Sequence, residues 1–169
     1  MEEEEIFQEV EKAKGSFGIV CNKFSGALTV EVIRQHLEKH GFCVSGRDVF
    51  IKGVNSEMDL LVVRKSAAPE YGTIYEPSEV VCAMEIKNHG AFGEKTTLNL
   101  KKTFHGIESK NPDIFCCYVT LRERETYRKK VTPEKLGYPA YTIFYYKGKN
   151  RWATGDWTKF LDELRKRCQ

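Results

Sequence analysis

The first clear apolar rhythm in the chain has a helical period. In "GALTVEVIRQHLEKHGF", residues 26–42, Val30, Ile33 and Leu37 recur at the spacing of one helix face. Gly41 follows them, and glycine is common just past the end of a helix. The pattern therefore predicts an amphipathic helix with one buried stripe.

Apolar runs of strand length follow this helix. "CVSGRDVFIKGV" (43–54), "EMDLLVVRK" (57–65) and "VVCAMEIK" (80–87) each combine β-branched residues with flanking turn residues, which predicts three strands. The second is apolar enough to be buried on both faces. The proline- and glycine-containing stretch 66–79 predicts a long connection with room for a short strand.

The second half of the chain repeats the alternation of helix and strand. A weakly amphipathic helix is predicted at 97–110, strands at 113–121 and 141–148, and a closing helix at 156–167 with Asp156 as its N-cap. Before these elements, residues 2–14 predict a short charged helix ended by a glycine. From the first amphipathic helix onward the order is helix, three strands, helix, two strands and helix, which predicts an α/β sandwich with a mixed sheet.

Three ionisable residues interrupt the apolar strands. In "CAMEIKNHG", Glu85 and Lys87 lie two residues apart, so strand alternation points both side chains to one face. Asp59 stands at the head of "DLLVV" in the neighbouring predicted strand. Desolvating a lone charge is costly, so such residues need oppositely charged partners. If the two strands pair as a hairpin, Asp59 and Glu85 lie side by side.

Two adjacent carboxylates repel each other unless a cation lies between them. Hard oxygen ligands suit Mg²⁺, with Mn²⁺ as a substitute, better than zinc. An ammonium group beside them orients an attacking water and offsets charge in the transition state of phosphodiester hydrolysis. We therefore predict that Asp59 and Glu85 bind metal and that Lys87 is catalytic. The alternative is a surface Glu85–Lys87 pair of little energetic weight, with Asp59 as a cap at a turn.

The segments "EMDLLVV" and "AMEIKNHG" resemble the PD-(D/E)XK nuclease superfamily, whose restriction-endonuclease-like fold has the core order αβββαβ. "DVFIKGVNSEMDLLVV" followed by "CAMEIKNHGAFG" is most similar to NERD-like and junction-resolvase-like nucleases. The resemblance covers about residues 26–121. It implies a three-layer sandwich with a central mixed β-sheet flanked by helices. Residues 1–169 would then form a single nuclease-like domain, with an N-terminal helix and a C-terminal strand and helix added to the core.

Carried over residue by residue, the resemblance makes Asp59 and Glu85 metal ligands and Lys87 the catalytic lysine. It adds the backbone carbonyl of Ile86 as a further metal ligand. Met58 stands where the family often has a proline.

The resemblance also implies functional side chains on the two helices of the core. A carboxylate from the first helix frequently joins the site, and Glu31 is the best candidate, with Glu38 second. The glutamine that many members carry on the helix after the lysine strand is missing. Asn99, Lys102 and His105 are the nearest substitutes for it.

The composition of the chain indicates the cellular compartment in which it is expected to act. It has 169 residues, 41% of them hydrophobic, and six cysteines that form no CxxC pair. Several cysteines lie in apolar runs, which predicts buried free thiols and a reducing compartment. The acidic N-terminus differs from a signal peptide, and no apolar run approaches roughly 18 residues. We therefore predict a cytoplasmic protein without a membrane partner.

The net charge of +3 hides an asymmetry along the chain. Residues 1–85 carry nine Lys and Arg against fifteen Asp and Glu, whereas residues 86–169 carry eighteen against nine. Clusters such as "LKKTFHGIESK", "RERETYRKK" and "LRKRCQ" favour contact with a phosphate backbone. Solvated helix faces and loops are the alternative explanation.

Together these features predict a divalent-metal-dependent endonuclease that hydrolyses duplex or branched DNA. A homodimer fits this function because cutting both strands needs two symmetry-related sites. Two alternatives stay open: a nucleic-acid-binding module that has kept the fold but lost the chemistry, and an RNA-directed endonuclease.

The four histidines and a group of aromatic residues carry weaker signals. His89 follows the lysine strand, where it either contacts a phosphate or caps a loop. His36 and His40 are predicted to be solvated on the first core helix, and His105 either faces DNA or is solvated. For the aromatic residues between 141 and 157, core packing is favoured over base stacking.

Overall fold

The computed structural model describes residues 1–19, 21–89, 94–124, 136–149 and 151–169. Most of the basic segment "RERETYRKK" and the glycine loop 90–93 lie outside these residues. The elements, in chain order, are α1 (Glu2–Phe17), α2 (Asn22–Lys39), β1 (Val49–Ile51), β2 (Glu57–Met58), β3 (Leu60–Val63), β4 (Ile74–Tyr75), a 3₁₀ helix (Pro77–Glu79), β5 (Val80–His89), α3 (Glu94–Glu108), β6 (Phe115–Arg124), β7 (Ala140–Gly148), β8 (Arg151–Thr154) and α4 (Trp157–Arg167).

A five-stranded mixed sheet forms the centre of the molecule, in the order β3-β5-β6-β7-β8. Strands β5, β6 and β7 run parallel, and the outer strands β3 and β8 pair antiparallel with their neighbours. The central strands are apolar on both faces because both faces are covered. This arrangement confirms the predicted mixed sheet.

Helices cover both faces of this sheet. One core layer contains Ile6 of α1, Ile33 of α2 and Phe160 of α4, packed on one face. On the other face, Phe104 of α3 packs with residues of the sheet and of a smaller sheet, such as Ile51. The result is the predicted three-layer sandwich.

The smaller sheet has the order β2-β1-β4 and changes one sequence prediction. The predicted strand 57–65 is split, because Met58 pairs with Val49 of β1 whereas Leu60 pairs with Met84 of β5. Asp59 is therefore the residue at which the chain passes from one sheet to the other.

Helix α1 and strand β8 also differ from the prediction. Helix α1 continues beyond the predicted end at Gly15 to Phe17, and Gly18 ends it in the left-handed conformation with φ 60°. A glycine inside a helix lowers its stability without ending it, so Gly15 is tolerated there. Strand β8 is missing from the prediction because its four residues follow β7 closely and are too short for a clear period.

The prediction that His36 is solvated is wrong. Its side chain is 1% exposed, and its two ring nitrogens lie 2.9 Å from Glu2 Oε1 and 3.3 Å from Glu9 Oε2. His40 is exposed, as predicted, and its Nε2 lies 2.8 Å from Glu2 Oε2. Both histidines therefore join α2 to α1, a contact that helical period alone does not indicate.

The state of the cysteines agrees with the expectation of free, buried thiols. All six cysteines are free, and Cys82, Cys116 and Cys117 are buried. In the part of the chain that the structure describes, no helix is both long enough and apolar enough to cross a membrane.

Candidate active site

Asp59 is held at the edge of the central sheet by the change of partner between β2 and β3. The register pairs Leu60 with Met84, and continuing it by one residue places Asp59 opposite Glu85. Directly opposite residues of antiparallel strands share one face of the sheet. The Asp59 Oδ2 atom accepts a hydrogen bond of 2.6 Å from the backbone N–H of Ile86. This bond fixes the carboxylate against β5.

Lys87 joins the two carboxylates. Its Nζ lies 2.5 Å from Glu85 Oε1 and 3.8 Å from Asp59 Oδ2. Strand alternation explains the contact with Glu85, and the sheet register explains the contact with Asp59. The structure thus brings Asp59, Glu85 and Lys87 together on one face.

Burial makes ionisation of the two carboxyl groups unfavourable. It raises the pKa of Asp59, and the hydrogen bond from Ile86 and the charge of Lys87 only partly oppose this. Burial also raises the pKa of Glu85, and the nearby charge of Asp59 adds to the effect. For Lys87, burial disfavours the charged form, but the hydrogen bond and charges of the two acids outweigh it and raise the pKa. The site therefore favours additional positive charge.

The available donor atoms suit a hard cation. Both side-chain ligands are carboxylates. The N–H and C=O groups of one strand residue point to the same edge, so the Ile86 carbonyl faces the edge on which Asp59 lies. Across the described ranges, no group of three His, Cys, Asp or Glu side chains converges as a metal site. Two carboxylates, one carbonyl and water would suit Mg²⁺ or Mn²⁺, which commonly keep several water ligands, better than zinc.

Two clefts meet at this group. The larger, of about 810 Å³, lies between α2 and the edge of the sheet. The smaller, of about 440 Å³, lies between the sheet and α3. The larger is lined by Asn22, Lys23, Ser25, Gly26, Ala27, Val30, Arg47, Asp48, Glu57, Asp59, Ile86, Lys87, Asn88 and His89, and the smaller by Ser56, Glu57, Glu85, Lys87, Thr96, Asn99, Leu100 and Thr103. Glu57 and Lys87 line both.

The predicted helix carboxylates lie apart from these clefts. Arg34 donates to both carboxylate oxygens of Glu31, at 3.0 and 2.8 Å, and Gln35 donates to Oε1 at 3.0 Å. The hydrogen bonds from Arg34 are the main cause that lowers the pKa of Glu31. Glu38 pairs with the same Arg34 at 2.6 Å. Neither carboxylate lines the larger cleft, and a role for Glu31 in metal binding stays a prediction.

Helix α3 brings one of the three substitute residues to the site. Asn99 lines the smaller cleft together with Glu85 and Lys87. Lys102 and His105 are exposed on the same helix and do not line that cleft.

His89 lies at the end of β5 and lines the larger cleft. Its Nδ1 accepts a hydrogen bond of 3.2 Å from Arg122 Nε on the neighbouring strand. Burial and the charges of Arg122 and Lys14 lower its pKa, so His89 is neutral at pH 7. A neutral imidazole in this place contributes hydrogen bonds rather than charge.

Sequence reasoning missed Glu57 and Asn88. Glu57 lies two residues before Asp59, at the spacing that places strand side chains on one face, and this signal was available in "SEMD". Asn88 is neutral and directly follows Lys87 in the strand, so no local pattern separates it from an ordinary strand end.

The chain resembles solved structures of NucC. It has 12% identity to NucC of P. aeruginosa ATCC27853 in the cAAA-bound form, with a TM-score of 0.66, covering 98% of this chain and 88% of that one. For the cAAA-bound form of E. coli MS115-1 NucC the values are 9%, 0.68, 98% and 87%. For the apo form of the latter they are 13%, 0.52, 95% and 88%. Neither the protein-family models nor the curated proteins gave a match.

These likenesses show the fold. The chain has the restriction-endonuclease-like fold, with a central mixed sheet between layers of helices. At this level of identity the function must be argued from the site itself.

Proposed function

We propose that the chain is a divalent-metal-dependent endonuclease that hydrolyses phosphodiester bonds of DNA. The observation that carries the proposal is the meeting of Asp59, Glu85 and Lys87 on one face of the sheet, with the Lys87 Nζ 2.5 Å from Glu85 and 3.8 Å from Asp59. Two desolvated carboxylates and an ammonium group, opening into two clefts, form a set of groups suited to phosphoryl chemistry.

Each residue has a distinct role in this proposal. Asp59, Glu85 and the carbonyl of Ile86 would hold Mg²⁺, which supplies Lewis-acid polarisation of a phosphate oxygen when bound. Asp59 is oriented for this by its hydrogen bond from Ile86. Lys87 orients the attacking water and offsets the negative charge that develops on the phosphate.

Cleavage of plasmid and branched DNA in Mg²⁺ tests the proposal. We expect Lys87→Ala and Asp59→Ala to lower the cleavage rate by at least about 100-fold, the usual effect of removing one electrostatic contact to a transition state. Lys65→Ala is the matched control, because Lys65 is exposed beyond the far end of β3 and lines neither cleft. The proposal fails if both site variants cleave as fast as the parent protein while remaining folded.

One observation favours a second function, a nucleic-acid-binding module without catalysis. Lys87 already contacts both acids, so the three groups partly neutralise one another without a metal. Such a module would bind DNA with an affinity that falls steeply with salt and would not respond to Mg²⁺ or Mn²⁺. Isothermal titration with Mn²⁺ distinguishes the two, because the endonuclease requires binding that Asp59→Ala removes.

The substrate and the subtype are also matters for proposal. NERD-like and junction-resolvase-like activities predict different preferences, so linear duplexes, four-way junctions and single-stranded RNA are compared in one assay. Preference for RNA would favour the RNA-directed alternative. A homodimer predicts that both strands of a duplex are cut by one particle, which sedimentation and cleavage kinetics measure together.

The cAAA-bound neighbours motivate one addition to this assay. The backbone is more similar to the cAAA-bound form of E. coli MS115-1 NucC, with a TM-score of 0.68, than to its apo form, with 0.52. We therefore propose that cleavage be measured with and without cAAA. The six free thiols support a place of action in the reducing cytoplasm.

A further inference from the structure

Asn88 is a buried polar residue that has no hydrogen-bond partner among the described residues. Its side chain follows Ile86 on the α2 face of β5, by strand alternation, and it is 7% exposed. Within the described residues, neither its Nδ2 nor its Oδ1 has a hydrogen-bond partner. A buried amide that lacks partners destabilises a fold, so its presence calls for an explanation other than stability.

Asn88 lines the same larger cleft as the start of α2. The cleft is bounded there by Asn22, Lys23, Ser25 and Gly26, which belong to the first turns of that helix. No acidic residue stands in the first turn. The N–H groups of a first turn have no acceptors within the helix and attract anions.

The charges around the cleft are divided between its walls. Lys23 of α2 and Arg47 bring positive charge to the cleft, and the charge of Arg47 helps to lower the pKa of Glu31 on α2. The acids Asp48, Glu57 and Asp59 come from the strand side, where a metal would offset them. A phosphate group is therefore favoured at the α2 wall.

We propose that the α2 end of the larger cleft binds the nucleotide next to the bond that is cut, and that Asn88 is a specificity-determining residue that hydrogen bonds to its base. The proposal rests on the proposed endonuclease function. The phosphate of this nucleotide lies at the first turn of α2 beside Lys23. A carboxamide donates and accepts at once, which matches the paired donor and acceptor of a base edge.

The two readings of Asn88 make opposite predictions for Asn88→Leu, which has similar volume and no polar atoms. If Asn88 stabilises the fold, this substitution lowers the melting temperature. If Asn88 binds the substrate, the melting temperature stays equal or rises because an unpaired buried amide is removed, and the cleavage activity falls.

The experiment measures melting temperature, cleavage rate and the bases that flank each cut, the last by sequencing the ends of the fragments. We expect Asn88→Leu to melt no lower than the parent, to cleave about tenfold more slowly and to lose a base preference that the parent shows beside the cut. Lys23→Ala should weaken DNA binding and reduce the slope of log K against log salt by about one, as for loss of one phosphate contact. Lys65→Ala controls for loss of a charge elsewhere.

Failure of this inference is distinguishable from failure of the proposed function. The binding of a fluorescent duplex oligonucleotide is measured in the Lys87→Ala background, where cleavage plays no part. If the parent does not cleave DNA but Asn88→Leu still weakens binding in that background, the endonuclease proposal fails and the binding site stands. The inference is overturned if Asn88→Leu unfolds the protein, leaves rate and binding unchanged, or slows cleavage without altering base preference.

Discussion

Glu85 is held in a place where its charge is disfavoured. Burial and the charge of Asp59 raise its pKa above the ordinary value of 4.5, in spite of the contact with Lys87. A residue kept ionised against its surroundings contributes negatively to stability, and such costs are common at functional sites. The same groups that suit a metal therefore make the metal-free protein less stable.

We expect Glu85→Gln to raise the melting temperature at pH 7 in the presence of EDTA, by a few degrees, since about 1 kcal/mol corresponds to about 2–4 °C for a chain of this size. Because the folded pKa of Glu85 is raised, the parent gains stability as pH falls and takes up the proton more readily when folded. The difference between the two proteins should therefore shrink as pH falls through the raised folded pKa of Glu85 toward 4.5, and it should be lost below that value. Calorimetry at several pH values measures this, and a lower melting temperature for the variant at pH 7 would contradict it.

The sequence singled out Asp59, Glu85 and Lys87 as candidate site residues because charged residues stand out in apolar strands, and the structure brings their side chains together. It did not identify Asn88, because an amide is compatible with a strand, a loop or a cap. The pairing of Asp59 with Ile86 depends on a change of sheet at one residue, which no local pattern encodes.

The elements were predictable where they are long. Helices α2 and α4 and strands β5, β6 and β7 have clear periods over eight residues or more, and the structure confirms them. Among the strands of two to four residues, β2 was joined to β3 in the prediction and β8 was missed, because their pairing depends on distant parts of the chain. Asp59 of the candidate site lies between two of these short strands, β2 and β3.

The connection between β8 and α4 allows a test of how closely neighbouring elements pack. Gly155 donates its N–H to Ile143 at 2.9 Å, and a Cβ atom there would lie 1.8 Å from the carbonyl oxygen of Thr142. Asp156 accepts hydrogen bonds from the Thr142 N–H at 3.2 Å and the Tyr145 hydroxyl at 3.1 Å, so it anchors β7 instead of capping α4 with its side chain.

We expect Gly155→Ala to lower the free energy of unfolding by about 3 kcal/mol or more, because backbone atoms must move to admit one methyl group. Gly106→Ala is the matched control, since Gly106 lies inside α3 with open space around its Cβ position. That change should stabilise the protein by up to about 1 kcal/mol. Urea unfolding compares the two, and equal effects would contradict the expectation.

For the whole molecule, the proposed metal at Asp59 and Glu85 would link stability to metal concentration. A ligand that binds only the folded state stabilises it by about 2.7 kcal/mol at 100 times its Kd. We expect Mn²⁺ to raise the melting temperature of the parent by several degrees and to leave Asp59→Ala unchanged. Ca²⁺ serves as a comparison of equal charge and larger size. A similar rise in Asp59→Ala would locate metal binding elsewhere.

The whole fold is shared with NucC at 9–13% identity over nearly the full chain. Such likeness without sequence similarity is expected when layer order and buried pattern, rather than individual side chains, determine the architecture. The uneven distribution of charge along the chain is read from this sequence alone, and the salt dependence of the proposed DNA binding would measure its effect.

Glu57 and Lys87 belong to both clefts, so the ammonium group of Lys87 stands on the ridge between two depressions. A polymer bound in both clefts would cross the ridge at one bond, and it would make separate contacts with the protein on each side of that bond. After scission each fragment would keep only half of the former contacts, and the two halves would depart separately. Turnover would then depend on which depression empties more slowly.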